Sequence, residues 1–205
     1  MKGVEQLVDT DIITHCQQGE EAAFDALYKT YATKALRTAY LFVGNKNIAE
    51  DIIQEAFLEC YRDIKKLRNP ESFQVWFNRL LVRICWRMAS MERKVITESL
   101  DDNGMERLTD QQDVLEIIEA SQESRIIRQA INQLSLPLKT TMILYYYNDM
   151  SIKEISQIMN CFQGTVKSRL LNGRKKLAKV LKSRPDEFPI NNASGVFERE
   201  CVVHE

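Results

Sequence analysis

Apolar residues recur every three to four positions along most of the chain, and strict alternation of apolar and polar residues is not evident in any stretch. This spacing places apolar side chains on one face of an α-helix, whereas alternation would indicate a strand. Glycine and proline are scarce and fall between the periodic segments. The pattern predicts an all-α protein with helices over eight residue ranges: 20–31, 33–43, 48–66, 71–92, 116–134, 138–148, 151–159 and 163–182.

The predicted helices form two groups, separated by a stretch without regular apolar spacing that contains Asn103-Gly104. Helical periodicity is also lost after Pro185, which indicates a mobile tail. The expected architecture is therefore two small helical domains joined by a flexible acidic linker. The expected boundaries are 1–95 for the first domain, 96–118 for the linker, 119–184 for the second domain and 185–205 for the tail.

Charge is distributed unevenly although the formal net charge is only −1. Residues 96–124 hold nine acidic side chains and one basic one, a net charge of −8. Residues 151–184 reverse this, with nine basic side chains and one acidic one. A basic segment of this kind indicates binding to nucleic acid.

The basic segment has the pattern of a helix-turn-helix. Ser151 and Glu154 are placed to form a capping box at the start of one helix, and a three-residue turn leads to the next. The N-terminal part of such a second helix enters the major groove of DNA, and later cations meet phosphates. The candidate contacts are Gln163, Thr165, Lys167, Ser168, Arg169, Asn172, Arg174 and Lys175. The alternative is a solvated basic face on an ordinary three-helix domain.

The predicted helix 71–92 carries a second cationic stripe. Arg79, Arg83 and Arg87 are four residues apart, and Trp76 and Trp86 lie beside them. Cations and aromatic rings together bind the phosphates and bases of single strands. They also form ordinary cation–π pairs on protein surfaces. The spacing alone leaves both interpretations open.

The predicted helix 48–66 has one apolar residue, Leu58, on its polar face, together with Asp51, Gln54 and Glu55. An isolated exposed leucine is common on protein surfaces. An apolar side chain ringed by charges is also typical of the centre of a protein interface. The periodicity does not decide between the two.

Other classes of protein receive little support. The five cysteines are odd in number and widely spaced, which favours free thiols, and His15-Cys16 would form a metal site with Cys201 and His204 only if the chain ends met. Only two histidines occur, and neither a phosphate-binding loop nor a nucleophile with an evident base is present. We expect no enzyme activity, no cofactor and no metal. The absence of a long apolar run or a signal-like N-terminus predicts a cytoplasmic protein.

Several motifs resemble one family. Residues 49–57 (AEDIIQEAF) and 73–77 (FQVWF) resemble region 2 of the bacterial RNA polymerase sigma factors of the sigma-70 superfamily. Residues 134–137 (LSLP), 151–155 (SIKEI) and 164–170 (GTVKSRL) resemble their region 4. Because only these two regions are present, joined by a short linker, the chain is similar to the extracytoplasmic function (ECF, group four) type.

The resemblance implies roles that periodicity cannot assign. Region 2 would bind the clamp helices of the largest subunit of core RNA polymerase through Asp51, Gln54, Glu55 and Leu58. Region 4 would contact the flap of the second-largest subunit. The acidic linker would resemble those that pass through the RNA exit path of the polymerase. An anti-sigma factor is a further implied partner, although no residue of the chain indicates one.

The resemblance also implies two contacts with promoter DNA. The loop between the third and fourth predicted helices would capture a base flipped out of the minus-ten element, and the fourth helix would follow the separated strand. The residues for these roles are Arg68, Asn69, Arg79, Arg83, Trp86 and Arg87. The second domain would read the minus-thirty-five element.

The chain departs from the family pattern at three places. Arg83 and Arg87 stand where the family usually has Asn and Asp, so the strand contacts there differ in detail. Phe162 stands where a serine commonly caps the recognition helix. The tail 185–205 has no counterpart. The expected function is a sigma factor that directs core polymerase to promoters and assists their melting. The alternative is a stand-alone helix-turn-helix regulator whose first domain senses a ligand or dimerises.

Overall fold

The structure is a computed structural model that describes residues 2–98 and 122–182, with side chains described for residues 10–91 and 126–181. Within these ranges all regular structure is helical, as predicted. The helices are α1 (Lys2–Gln18), α2 (Glu21–Val43), α3 (Lys46–Asp63), α4 (Phe73–Glu98), α5 (Gln122–Asn132), α6 (Leu136–Met142), α7 (Ile152–Ile158) and α8 (Gln163–Lys182). Short 3₁₀ turns at Ile64–Lys66 and Pro70–Ser72 connect α3 to α4, and a π-helical turn at Ile143–Tyr147 follows α6.

The first domain contains four helices, α1 to α4, but the prediction assigned two of them wrongly. The predicted helices 20–31 and 33–43 are one continuous helix, α2, because neither glycine nor proline interrupts it. It ends where Gly44 adopts a positive φ of 74° and donates its N–H to Tyr40 O. The fourth helix of the domain is instead α1, which the sequence reading missed.

Helix α1 is attached to the domain by burial and by hydrogen bonds. Ile13 is fully buried, and Cys16, one turn later, is almost so. The Gln17 side chain donates from Nε2 to Ile64 O at 3.0 Å and to Leu67 O at 2.6 Å. These bonds fix the end of α3 and the loop that leads to α4.

Local capping residues set the start of α3 and of the turn before α4. Asn45 accepts the N–H of Ile48 at 3.2 Å, and Asn69 accepts the N–H of Glu71 at 3.0 Å. Helix α4 begins close to the predicted position but continues to Glu98, beyond the predicted end at 92 and the predicted domain boundary at 95. The rest of the predicted linker, from residue 99, and the tail 185–205 lie outside the described residues.

The second domain contains the predicted helix-turn-helix. The capping box of Ser151 and Glu154 is present, and α8 has the predicted bounds 163–182. The turn between α7 and α8 passes through the left-handed region at Asn160, where φ is 46°. One face of α8 is buried, and its members are Val166, Leu170, Gly173, Leu177 and Leu181.

Gly173 allows α8 to pack closely on α6. A Cβ added at this position would lie 2.7 Å from Met142 Sδ, closer than atoms of neighbouring side chains approach. The missing Cβ therefore leaves room for the Met142 side chain of α6 directly against α8.

Candidate polymerase and DNA interfaces

The outer face of α3 carries the predicted polymerase-binding residues. Asp51 and Gln54 are exposed, Glu55 is half-buried, and Leu58 is 57% exposed. The helix is anchored from its other side by Ile52, Ala56 and Cys60, all of which are fully buried. The structure therefore places an exposed apolar side chain at the centre of a polar face.

Two tyrosines that the sequence reading did not select enlarge this apolar surface. Tyr61, one turn after Leu58 on α3, is 55% exposed, and its ring lies 5.0 Å from that of Phe24. Tyr28 of α2 is also exposed and packs against the ring of Phe57 at 4.7 Å. In the sequence, Tyr61 follows Leu58 by three residues, and this spacing places both side chains on the same face of a helix. The spacing could therefore have identified Tyr61.

The arginine stripe of α4 is paired with acids of α3. Arg83 forms an ion pair with Glu59, and Arg87 forms one with Glu55. The two pairs run in opposite order along the two helices, as antiparallel packing requires. Glu55, a predicted polymerase contact, is thus bonded to Arg87, a predicted DNA contact.

Arg79 and Trp86, the two other predicted DNA contacts on α4, form hydrogen bonds with the second domain. Arg79 donates from Nη2 to Gln157 O of α7 at 2.6 Å. The indole N–H of Trp86 donates to Thr140 Oγ1 of α6 at 2.9 Å. In this conformation the second domain covers part of the surface predicted to follow the separated strand.

A buried polar cluster, here called the polar latch and consisting of Thr38, Asn78 and Asn148, joins the two domains. The Thr38 hydroxyl shares its proton between Lys34 O at 2.8 Å and Asn148 Oδ1 at 3.0 Å, and Asn148 donates from Nδ2 to Asn78 Oδ1 at 2.7 Å. All three residues are buried. Because buried polar groups are costly when unpaired, these bonds favour one arrangement of the domains.

Further polar contacts surround the polar latch. Lys139 of α6 is buried and donates to Phe42 O at 2.6 Å and to Asn132 Oδ1 at 2.7 Å. Arg128 of α5 bonds the hydroxyl of Tyr40 and lies over its ring. Burial raises the pKa of Tyr147, and a hydrogen bond with Arg37 of α2 partly opposes this. The domain contact therefore contains several paired polar groups, although the buried Nε of Arg37 has no hydrogen-bond partner among the described residues.

The loop between α3 and α4 places Arg68 and Asn69 at the surface. Both are exposed, and the side-chain oxygen of Asn69 caps the following 3₁₀ turn. Trp76 is half-buried, with its ring 5.9 Å from that of Phe73. Its position agrees with a structural role.

The outer face of α8 holds most of the residues predicted to contact DNA. Gln163, Lys167, Ser168, Asn172 and Lys175 are exposed. The helix presents this row opposite its buried apolar face, which is the arrangement that a recognition helix requires.

Three predicted DNA residues of α8 are less accessible. Thr165 is half-buried, and Arg169 leans on the turn, with Nη1 3.7 Å from Met159 Sδ and 3.6 Å from Cys161 Sγ. Arg174 donates from Nε to Tyr146 Oη at 2.6 Å and lies over the same ring. The structure thus directs Arg174 towards the π-helical turn.

Comparison with known proteins identifies both domains. Residues 27–94 match the family model for sigma-70 region 2, and residues 124–177 match that for sigma-70 region 4. The ECF RNA polymerase sigma-E factor of Haemophilus influenzae is 28% identical over 180 residues, which cover 84% of this chain and 95% of that protein. The chain belongs to the sigma-70 family of RNA polymerase sigma factors and is of the ECF type.

Other similar proteins support the same family assignment. The ECF sigma factor SigW of Bacillus subtilis is 28% identical over 177 residues, which cover 83% of this chain and 95% of that protein. The fold is similar to that of the sigma factor RpoE of Bartonella quintana, solved with the anti-sigma factor NepR. That match has a TM-score of 0.65 and 18% identity, and it covers 78% of this chain and 96% of the other.

These matches favour the sigma factor over the stand-alone regulator, because both regions of the family are present. In the described ranges, histidine, cysteine and acidic side chains do not form a group of three or more that could hold a metal ion. In the same ranges, none of the helices combines the length and apolarity needed to cross a bilayer.

Proposed function

We propose that the chain binds core RNA polymerase through the outer face of α3, reads the minus-thirty-five element through α8, and follows the separated minus-ten strand through α4. The observation that carries this proposal is the exposed Leu58, held on a polar face of a helix that is ion-paired to the candidate strand-binding helix. The chain would act in the cytoplasm, where the polymerase works, and would contribute no catalytic step of its own.

The α3 face has the character of a protein interface. Leu58 and Tyr61 supply exposed apolar area, and Asp51 and Gln54 supply a polar rim. Interfaces of this type bury an apolar centre and leave the rim in contact with water. The clamp helices of the largest polymerase subunit are the partner that we assign to this face. We assign the flap of the second-largest subunit to the second domain.

The α8 face has the character of a duplex-DNA interface. Exposed Lys167 and Lys175 provide charge for phosphates, and Gln163, Ser168 and Asn172 provide hydrogen-bonding groups for base edges. Binding through such lysines releases counterions and weakens as the salt concentration rises.

Simultaneous reading of both promoter elements requires the domains to separate. Elements centred near positions −10 and −35 lie about 25 base pairs apart, or roughly 85 Å along B-form DNA. A compact chain of 205 residues has a radius of gyration of only about 17 Å. The contacts of the polar latch and of Trp86 with Thr140 therefore define a closed state that cannot span a promoter.

The closed state is also the form that we expect an anti-sigma factor to hold. The fold resembles that of a sigma factor solved with its anti-sigma factor. A partner that stabilises the contact between α4 and the second domain would keep the strand-binding face covered.

The test is run-off transcription by purified core polymerase of the source bacterium on sheared genomic DNA, with mapping of the transcript starts. With this chain present we expect new starts that share two spaced sequence elements. Leu58→Arg should abolish the new starts and weaken binding to core polymerase. Ala22→Arg, which adds the same charge at an exposed position of α2, should do neither.

Two results would contradict the proposal. One is the absence of new starts while the chain alone binds DNA tightly, which would indicate the stand-alone regulator. The other is unchanged core binding by Leu58→Arg, which would remove the α3 face from the polymerase interface.

A further inference from the structure

Phe162 lies at the entrance of the recognition helix with its ring in solvent. It is 87% exposed, the largest exposed fraction among the exposed large apolar side chains of the described ranges. Leu58 and Tyr61, which we assign to a protein interface, are exposed to 57% and 55%. An aromatic ring left so open has a hydration cost that burial against a partner removes.

The backbone of Phe162 places this residue at the start of α8. Its carbonyl accepts the N–H groups of Thr165 at 2.9 Å and Val166 at 3.2 Å, so Phe162 is the residue that precedes the first turn of α8. Phe162 therefore adjoins the N-terminal part of α8, and this is the part of a recognition helix that enters the major groove.

The residue type is unfavourable for the helix itself. A serine, threonine or asparagine at this position would accept a backbone N–H of the first turn, and a phenylalanine cannot. The ring is also exposed rather than packed in the core, so it does not compensate by burial within the chain. The exposed ring is therefore available for contact with a partner.

The surroundings of Phe162 indicate that this partner is duplex DNA. Phe162 directly precedes the exposed row of Gln163, Lys167 and Ser168, which we propose faces the groove. Gly164, next to it on this row, has open space around the position of a Cβ, so neighbouring parts of the protein do not require a glycine there. A helix glycine with open space permits close approach of a partner.

We propose that Phe162 contacts the C5-methyl group of a thymine in the minus-thirty-five element and makes that position specific for thymine. The methyl group is the apolar feature that the major groove offers, and it distinguishes thymine from the other bases. This inference rests on the proposed function, because it requires α8 to lie in the groove of that element.

The test measures binding of holoenzyme, formed with the full-length chain, to a promoter mapped by run-off transcription. Phe162→Ser removes the ring but supplies a capping hydroxyl, so it keeps or raises the thermal stability of the chain. We expect it to weaken promoter binding about tenfold by loss of the apolar contact. Phe162→Leu should retain most of the affinity because it keeps an apolar side chain at the same place.

Thymine-to-deoxyuridine substitution identifies the base. Deoxyuridine lacks only the methyl group, and replacing the contacted thymine should weaken binding of the unsubstituted protein about fourfold. Holoenzyme containing Phe162→Ser should bind the thymine and deoxyuridine promoters equally.

The outcomes separate this inference from the proposed function. Normal promoter affinity of the Phe162→Ser holoenzyme would overturn the contact while leaving the sigma-factor function intact. Weakened affinity without a sensitive deoxyuridine position would overturn the assignment to a thymine methyl group. Failure of the unsubstituted chain to direct any new start would overturn the proposed function itself, and the inference with it.

Discussion

Two cationic surfaces of this protein, one on α4 and one on α8, differ in how their charges are used within the chain. On α4, Arg83 and Arg87 are paired with glutamates of α3, and Arg79 donates to a backbone carbonyl of α7. On α8, Lys167 and Lys175 are exposed, and within the described residues neither forms an ion pair. One surface is satisfied internally, and the other is open.

The difference fits the order in which duplex DNA and separated strands become available at a promoter. Duplex DNA is available from the start, so a face that reads it, as we propose for α8, gains from being open. Separated strands appear only after the complex has formed, and exposed aromatic and cationic groups would before then bind other single strands without sequence preference. If α4 is the strand-binding face, as we propose, the contact of Trp86 with Thr140 would reduce such binding.

The comparison has exceptions on both sides. On α8, Arg169 contacts Met159 and Cys161, and Arg174 donates to Tyr146, so both resemble the bonded arginines of α4. In the first domain, Arg68 is exposed on the loop before α4, so a flipped base could reach it even in the closed state. The two arginines of α8 and the loop residue Arg68 thus depart from the general difference between the two surfaces.

The largest effect is expected at Trp86. Trp86→Ala removes the ring that we propose stacks on a base, and stacking is worth about 1–3 kcal/mol per base, so strand opening should fall about 5- to 150-fold. Trp86→Phe keeps a stacking ring and loses only the hydrogen bond to Thr140. Permanganate reactivity of thymines in the promoter measures opening. Equal reactivity with Trp86→Ala and the unsubstituted chain would contradict the strand-binding role of α4.

Loss of the polar latch should loosen the closed state. Asn148→Ala removes the bonds to Thr38 and Asn78, and buried hydrogen bonds contribute about 1 kcal/mol each, so the open fraction should rise about tenfold or more. Hydrogen exchange of the Trp86 indole N–H, followed by NMR, reports the open fraction even when it is small.

The matched control for this change is the adjacent Asp149. Its carboxylate forms only an exposed ion pair with Lys34 at 3.6 Å, and such pairs contribute little. Asp149→Asn, which also tolerates the positive φ of 57° at this residue, should leave the exchange rate nearly unchanged. Similar exchange rates for Asn148→Ala and the unsubstituted chain would show that the polar latch does not hold the domains.

A smaller effect is expected from Lys167→Ala on the open α8 face. Loss of one phosphate or base contact should weaken promoter binding about five- to tenfold and lower the slope of affinity against salt by about one unit. Core polymerase binding should not change. Lys29→Ala, an exposed lysine of α2, is the control. Equal losses of promoter affinity for Lys167→Ala and Lys29→Ala would contradict the proposed DNA-binding role of α8.

The smallest effect is expected at the cysteines. Cys161 is half-buried in the turn before α8, whereas Cys60 is fully buried and its burial raises its pKa to about 12. Because only the thiolate reacts, alkylation of Cys60 at pH 8 should be negligible. Its rate should rise about tenfold for each unit by which the pH is raised, until the pH reaches that pKa.

Promoter DNA should slow alkylation of Cys161 a few-fold in a Cys201→Ser background. Alkylation of Cys161 at the same rate with and without DNA would place the turn outside the DNA interface.

The parts that could be predicted from sequence are those that short-range patterns determine. The capping box of Ser151 and Glu154, the bounds of α8 and the exposed position of Leu58 all follow from spacing along one helix. In contrast, α1 was missed, and α2 was divided at a position where the helix continues. Short apolar stripes at a chain end give a weak periodic signal, and exposed threonine and alanine do not end a helix.

The state of the α4 face could not be predicted, because it depends on contacts between distant parts of the chain. The partners of Arg79 and Trp86 are 78 and 54 residues away. A stripe of arginines has the same appearance in the sequence whether it faces solvent, glutamates or another domain. The residue roles on both DNA surfaces remain predictions until the variants above are measured.

The most direct measurement is the distance between the two domains, obtained by energy transfer between dyes on non-canonical amino acids at the exposed positions Asp25 and Lys176. The free chain should give one short distance, consistent with the contacts of the polar latch. In the complex with core polymerase and promoter DNA the distance should increase by about 30 Å or more, because the two elements lie roughly 85 Å apart. The same short distance in the free chain and in the promoter complex would contradict a closed state that must open for function.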